Sequence, residues 1–191
     1  MRHAPTLGAA LSVAVILGCG EPPSPDSDLS EADEGLLAPE EERAGGHEFL
    51  PQSSTAAQEV VRLVNQARAA ARTCGSRGTF PAAPPLAVDV RLTRAAQLHS
   101  QDMAQRNFFG HTGSDGSRPG DRITRQGYAW SAAGENIAAG YRTPQAVVDA
   151  WLASAGHCAN IMSRTFTQTG VGVATGGRYG IYWTQVFARP R

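Results

Sequence analysis

NFFGHTGSDG (107–116), AAGENIAAG (132–140) and SAGHCANIM (154–162) are the stretches whose reading decides the fold. Each places one chemically capable side chain, His111, Glu135 or His157, in or beside a glycine-containing turn rather than inside an amphipathic stripe. Glycine lets backbones approach closely and adopt positive φ, which is where functional side chains are commonly presented. Two imidazoles and a carboxylate are also the ligand set of an open zinc site, with one position left for water. No two of the three have the i, i+4 spacing of a helical metal motif, so only the tertiary fold can bring them together.

Outward from these stretches the chain alternates helical and loop signals. Asp89 can cap a helix over 89–106 that carries Leu92, Ala96, His99 and Met103 on one stripe, which makes His99 a hydrogen-bonded inner-face residue rather than a ligand. Thr55-x-x-Gln58 is a candidate capping box for an earlier helix through 56–73, stopped by Cys74-Gly75. Pro81, Pro84 and Pro85 make 76–87 a loop. After His111, Pro119 opens a short helix ending at Gly127. Thr143 caps a further helix with Pro144 at its first position and Val147, Val148, Trp151 and Leu152 on its apolar face. That helix ends near Gly156, and His157 begins the next turn. TGVGVAT and YGIYWTQVFA alternate around Gly176-Gly177 and predict a β-hairpin. No internal repeat and no second domain is visible.

The N-terminal quarter has a different composition. An apolar run, LGAALSVAVILG, follows Arg2 and is the length of a signal-peptide core, too short to span a bilayer. It closes on Ile16-Leu17-Gly18-Cys19, which resembles a bacterial lipobox. Cleavage after Gly18 would make 1–18 the signal peptide and leave Cys19 as the lipidated residue. Ordinary secretion with cleavage nearby is the alternative. Residues 21–48 carry ten acids and one base, whereas 49–191 carry seven acids and 15 arginines. Residues 19–54 therefore read as an acidic, disordered linker, and 55–191 as the domain. The arginines are scattered, without the dense patch that nucleic acid requires, so no nucleic-acid partner is expected. With Cys19 assigned to the anchor, Cys74 and Cys158 remain as an even pair outside the cytosol, where disulfides persist. A bridge between them is expected, with two free thiols as the alternative.

Five segments in order, LVNQARAAA, LTRAAQLHSQDMAQRNFFGHTGSDG, GENIAAG, AVVDAWLASAGHCANIM and TGVGVA…YWTQVF, together resemble the CAP superfamily of cysteine-rich secretory proteins, antigen 5 and pathogenesis-related 1. Within it the chain is most similar to the bacterial SCP-like branch. The resemblance covers about 55–188. It implies an α+β fold, a three-layer α-β-α sandwich with a central antiparallel sheet and a cleft on one side. Family members hold two histidines and two acids in that cleft, and several bind a divalent metal there. His111 and Glu135 match this pattern. The second acid is replaced by Ser154 and the second histidine by Tyr182, while His157 stands in the GHxANI turn typical of bacterial members. Cys158 stands where Arg is more usual, which fits a bridge to Cys74.

The expected cleft is therefore His111, Glu135, His157, Tyr182 and Ser154. His111, Glu135 and His157 would be its metal ligands, zinc being favoured over calcium because imidazoles suit zinc and calcium prefers oxygen. Asp115 is a further oxygen donor or, more simply, a turn aspartate. One function is non-catalytic binding of a metal, a small polar ligand or a cell-envelope component by a monomer that meets the membrane only through its lipid. The other is hydrolysis of peptide or cell-wall bonds, by a metal-bound water or a His–Glu base. Ser114, Ser131 and Ser154 are nucleophiles by residue type alone, since none lies in a GxSxG elbow. A Cys158 thiol would be lost to a disulfide. In a third reading His111, Glu135 and His157 are structural.

Overall fold

Side-chain alternation along two long strands sorts the core into two layers. In β5 (Trp130–Ala139), Ala132 and Ala138 join one cluster, while Ala133, Ile137 and Ala139 join the clusters on the other face. In β7 (Ile181–Pro190), Ile181, Trp183 and Phe187 face the first layer, and Tyr182, Val186 and Ala188 the second. The computed structural model describes residues 36–37 and 53–191. The expected signal peptide, the lipidated Cys19 and nearly all of the 19–54 linker lie outside the described residues. Among the described residues, no helix is long and apolar enough to cross a membrane.

On the first face pack α1 (Ser53–Arg68), α4 (Pro144–Ala153) and α5 (Ala155–Met162), through Val60, Val64, Val148, Trp151 and Ile161. On the second lie α2 (Val90–Arg106) and α3 (Pro119–Arg125), through Leu92, Ala96, Met103 and Ile123. Between them runs a sheet in the order β1-β5-β7-β6-β4, with β1 Leu36–Leu37, β4 Ala87–Val88 and β6 Gln168–Thr175. The three long strands are antiparallel, as expected for this α+β sandwich. The two-residue flanking strands β1 and β4 pair in parallel, so the complete sheet is mixed.

The β6–β7 hairpin and the α2 helix follow their sequence signals. Asp89 accepts the Arg91 amide hydrogen at 2.8 Å, and Asn107 closes α2 in the left-handed region at φ 55°. α2 presses its backbone onto β6. A Cβ at Gly172 would stand 2.3 Å from the Gln97 nitrogen, and one at Gly170 2.0 Å from that of Thr93. Glycine is therefore required here by space. Gly172→Ala is expected to lose about 3 kcal/mol in urea unfolding, near the upper end of overpacking costs.

Four expectations need correction. AAGENIAAG reads as a turn but forms the middle and end of β5. Its small residues fit a crowded strand, since a Cβ at Gly134 would lie 2.8 Å from the Phe166 ring, and packing overrides weak strand propensity. The first helix begins at Ser53 and ends at Arg68, so Thr55 lies within it and 69–73 do not continue it. There β2 (Arg72–Thr73) pairs with β3 (Thr79–Phe80), and the buried Arg68 guanidinium donates to the carbonyls of Pro84, Ile161 and Ser163. His157 lies inside α5, not at the start of a loose turn. Finally, Leu36–Leu37, inside the segment read as disordered linker, pairs with Ala138–Ala139 along the outer edge of β5. An open strand edge offers unpaired backbone groups to such a segment.

Candidate functional site

α2 ends at Asn107, and its left-handed turn sends Phe108 and Phe109 back onto the domain, edge-on to His99 and Tyr179. The Gly110 carbonyl accepts a hydrogen bond from His99 Nε2 at 3.0 Å. The loop is thus pinned to α2 just before His111. Opposite it, β5 points Glu135 toward the α2–α3 layer, and His111 Nδ1 lies 2.8 Å from Glu135 Oε1. The other oxygen of Glu135 accepts from Arg122 Nη2 at 2.8 Å. Arg122 also donates to the carbonyl oxygens of His111 and Ser117, at 2.9 and 2.8 Å.

Exposure divides these groups. The Glu135 and Arg122 side chains are 1% and 8% exposed, and that of His111 is 31% exposed. Burial by itself would raise the Glu135 pKa, but the Arg122 charge, His99 and the His111 hydrogen bond outweigh it and bring it to about 2. The carboxylate is therefore ionised at neutral pH and accepts, so His111 Nδ1 donates. His99, buried on α2, lies 3.9 Å from the same Glu135 oxygen. Burial is the main cause lowering its pKa, with Glu135 pulling the other way.

Of the five expected cleft residues, the structure brings four into contact, but as two separate pairs in different layers. His111 and Glu135 meet directly. Tyr182 shares their face of the sheet, but it is fully buried against Met103 and Ala104, and its hydroxyl accepts from the Tyr179 amide. Ser154 and His157 belong to the opposite layer. There His157 Nδ1 pairs with Ser154 Oγ at 3.0 Å, and the His157 carbonyl accepts from Asn136, the β5 neighbour whose side chain points away from Glu135. The expected zinc ligands His111, Glu135 and His157 are thus not gathered at one point. Among the described residues, no group of three or more His, Cys, Asp and Glu side chains is placed to hold a metal ion. The donors present fit an oriented imidazole, not a three-ligand zinc or calcium centre.

The remaining candidates have other partners. Asp115 is the turn aspartate, accepting from the Ser117 amide and from Arg125. Ser114 donates its amide and hydroxyl to Asp102, and Ser131 bonds the carbonyls of Arg189 and Pro190. Cys158 is bridged to Cys74, as expected, and offers no thiolate. Sequence reasoning missed Arg122. The available signal was its place beside Ile123 on the inner side of a seven-residue helix. An arginine buried there requires a buried anion.

The profile of the cysteine-rich secretory protein family, CAP, matches residues 61–187. A protein of Bacillus subtilis, YkwD, is 42% identical over 103 residues, which are 54% of this chain and 39% of that one. An extracellular protein of Bacillus anthracis containing an SCP domain has a solved structure 30% identical in sequence. It superposes with a TM-score of 0.60 over 75% of this chain and 45% of that one. An outer surface protein of Borrelia burgdorferi shares the fold with a TM-score of 0.57 at 17% identity, over 72% of this chain and 92% of its own. The chain thus spans less than half the length of either Bacillus relative. With a helix-sheet-helix sandwich and a profile match over most of the domain, the chain belongs to the CAP family of cysteine-rich secretory proteins.

Proposed function

We propose that this protein is a non-catalytic binding module working outside the cytoplasm, in which the Glu135–Arg122 pair holds the His111 imidazole toward a small polar ligand of the cell envelope. One observation carries the reading. A partly exposed ring, 31% accessible, is oriented at 2.8 Å by a carboxylate that is itself buried. Such a fixed ring loses little freedom on binding. The extracytoplasmic location is supported by the leader sequence, by the family's secretory members, and by relatives described as extracellular and outer-surface proteins. Attachment through a lipidated Cys19 is the finer form of this proposal and rests on the lipobox alone.

The test is titration of soluble peptidoglycan fragments into the chain, followed through the His111 ring resonances. His111→Ala is expected to weaken binding at least about tenfold, as loss of a well-oriented contact does, while its melting temperature stays near that of the parent. Equal binding by His111→Ala would remove the proposal. Zn²⁺ and Ca²⁺ are titrated alongside, because metal binding was expected from the family resemblance. The same pairing is also the base-and-orienter half of many hydrolytic sites. Cleavage of the fragments by the parent chain, lost in His111→Ala, would replace binding with hydrolysis.

A further inference from the structure

Ser154 stands at the N-cap of α5, but its hydroxyl is not used as a capping hydroxyl. A serine there ordinarily accepts a backbone N–H from the first turn of its helix. Ser154 makes no such side-chain bond to α5. Its Oγ lies instead 3.0 Å from His157 Nδ1, one turn along the same helix. A hydroxyl hydrogen-bonded to an imidazole is a nucleophile beside a base, and 3.0 Å falls within the reach of about 2.6–3.2 Å that proton transfer between them requires.

The backbone around the pair is fixed from three sides. The Cys158 amide donates to the Ser154 carbonyl at 2.9 Å, closing the turn that spaces the two side chains. Asn136 on β5 donates to the His157 carbonyl at 3.2 Å, and the next residue, Cys158, is bridged to Cys74. His157 is buried, whereas Ser154 is half-buried. Ala153, Ala155 and Gly156 flank the serine with nothing larger than a methyl group, so a carbonyl compound meets little bulk there. The other two candidate serines have no imidazole partner: Ser114 donates to Asp102, and Ser131 to the carbonyls of Arg189 and Pro190. A carboxylate is a weaker base than an imidazole, and a peptide carbonyl is weaker still.

We propose that Ser154 is a covalent modification site, which takes an acyl group from a carboxylic ester with His157 as its base. Ser154 Oγ–H donates to His157 Nδ1, and Oγ attacks the ester carbonyl as that hydrogen passes to the imidazole. The Oγ–C bond forms, the C–O bond to the alcohol breaks, and the hydrogen leaves the imidazole with the alcohol. The products are the acyl-serine and the free alcohol, so the ring returns to its starting state. The site lies in the layer opposite His111 and needs neither that ring nor its ligand.

The probe is p-nitrophenyl acetate, added to the full chain, with acetyl groups located by mass spectrometry of its peptides. Ser154 is expected to be acetylated about 100-fold faster than Ser114 or Ser131, the lower end of what a positioned general base supplies. Ser154→Ala is expected to lose that acetyl group and no other. His157→Gln is expected to slow acetylation of Ser154 about 100-fold, to the level of the other two serines. Because His157 is buried, the ranking of the three serines is measured in the parent chain first, where no variant has to fold. Acetyl groups spread evenly over the three serines, or found on other residues while Ser154 stays unmodified, would overturn the proposal. So would a folded His157→Gln whose Ser154 is acetylated at the parent rate.

Discussion

Arg122→Met is expected to destabilise the domain by about 4 kcal/mol at pH 7, because it leaves an ionised carboxylate buried without its cation. The Glu135 side chain is 1% exposed, and one of its two oxygens depends on Arg122 Nη2. Glu135→Gln alone is also expected to be costly, since it leaves the buried Arg122 guanidinium without its anion. Adding Glu135→Gln to Arg122→Met should recover part of the loss. The pH dependence follows from the sign of the Glu135 shift. Its folded-state pKa is depressed from 4.5 to about 2. The stabilisation is therefore complete above about pH 4.5 and is lost as pH falls toward 2, by roughly 3 kcal/mol in total. In Arg122→Met the depression is largely gone, so urea midpoints measured at pH 7 and pH 3 should differ less than in the parent. Equal midpoints for parent and variant at pH 7 would show that the pair is not buried in solution.

The network was half legible in the sequence, and the illegible half has a physical reason. His111 and Glu135 could be named because their local motifs match a family pattern, and they do touch. His157 could not be placed correctly from its motif. Whether it meets Glu135 depends on which face of β5 each side chain takes, and that parity is set by strand register. The turn reading of AAGENIAAG hid the strand itself. With β5 recognised, Glu135 and Asn136 must point to opposite layers, and Asn136 is the one that reaches the His157 carbonyl. Arg122 went unread for a related reason. Arginine on a short helix normally points to solvent, and only the buried acid across the layer reverses that. The helices and the final hairpin were more legible because their signals are local: Asp89 and Thr143 cap α2 and α4 as their positions suggest. Strand β1 escaped because two leucines in an acidic stretch have no strand periodicity, and pairing with an open edge is a property of the partner.

Removing the Cys74–Cys158 bridge through a Cys74→Ala/Cys158→Ala pair is expected to lower stability by about 4 kcal/mol and the melting temperature by roughly 15 °C. The bridged residues are 84 apart in sequence, so the bond closes a long loop and restrains much of the unfolded chain. Both cysteines are buried in the first-face core, with exposures of 1% and 0%. Alanine at each position removes only a sulfur, and the cavity contribution stays small beside the loop term. The bridge also has a local role. It ties the short β2–β3 hairpin, with its positive-φ turn at Gly75 and Gly78, to α5. α5 in turn supplies Asn160, whose amide donates to the Glu135 carbonyl and to Asn136. Hydrogen exchange separates the two effects. If the bond acts through the unfolded chain, amide protection falls together in α5, β6 and β7. If it acts locally, protection falls in 72–80 and α5 while β6 and β7 keep theirs, and the loss of global stability is well under 4 kcal/mol. In both cases the His111–Glu135 contact should persist below the melting transition, because its supports come from α2, α3 and β5. A parent chain that melts at the same temperature oxidised and fully reduced would show that the bridge adds nothing to folding in solution.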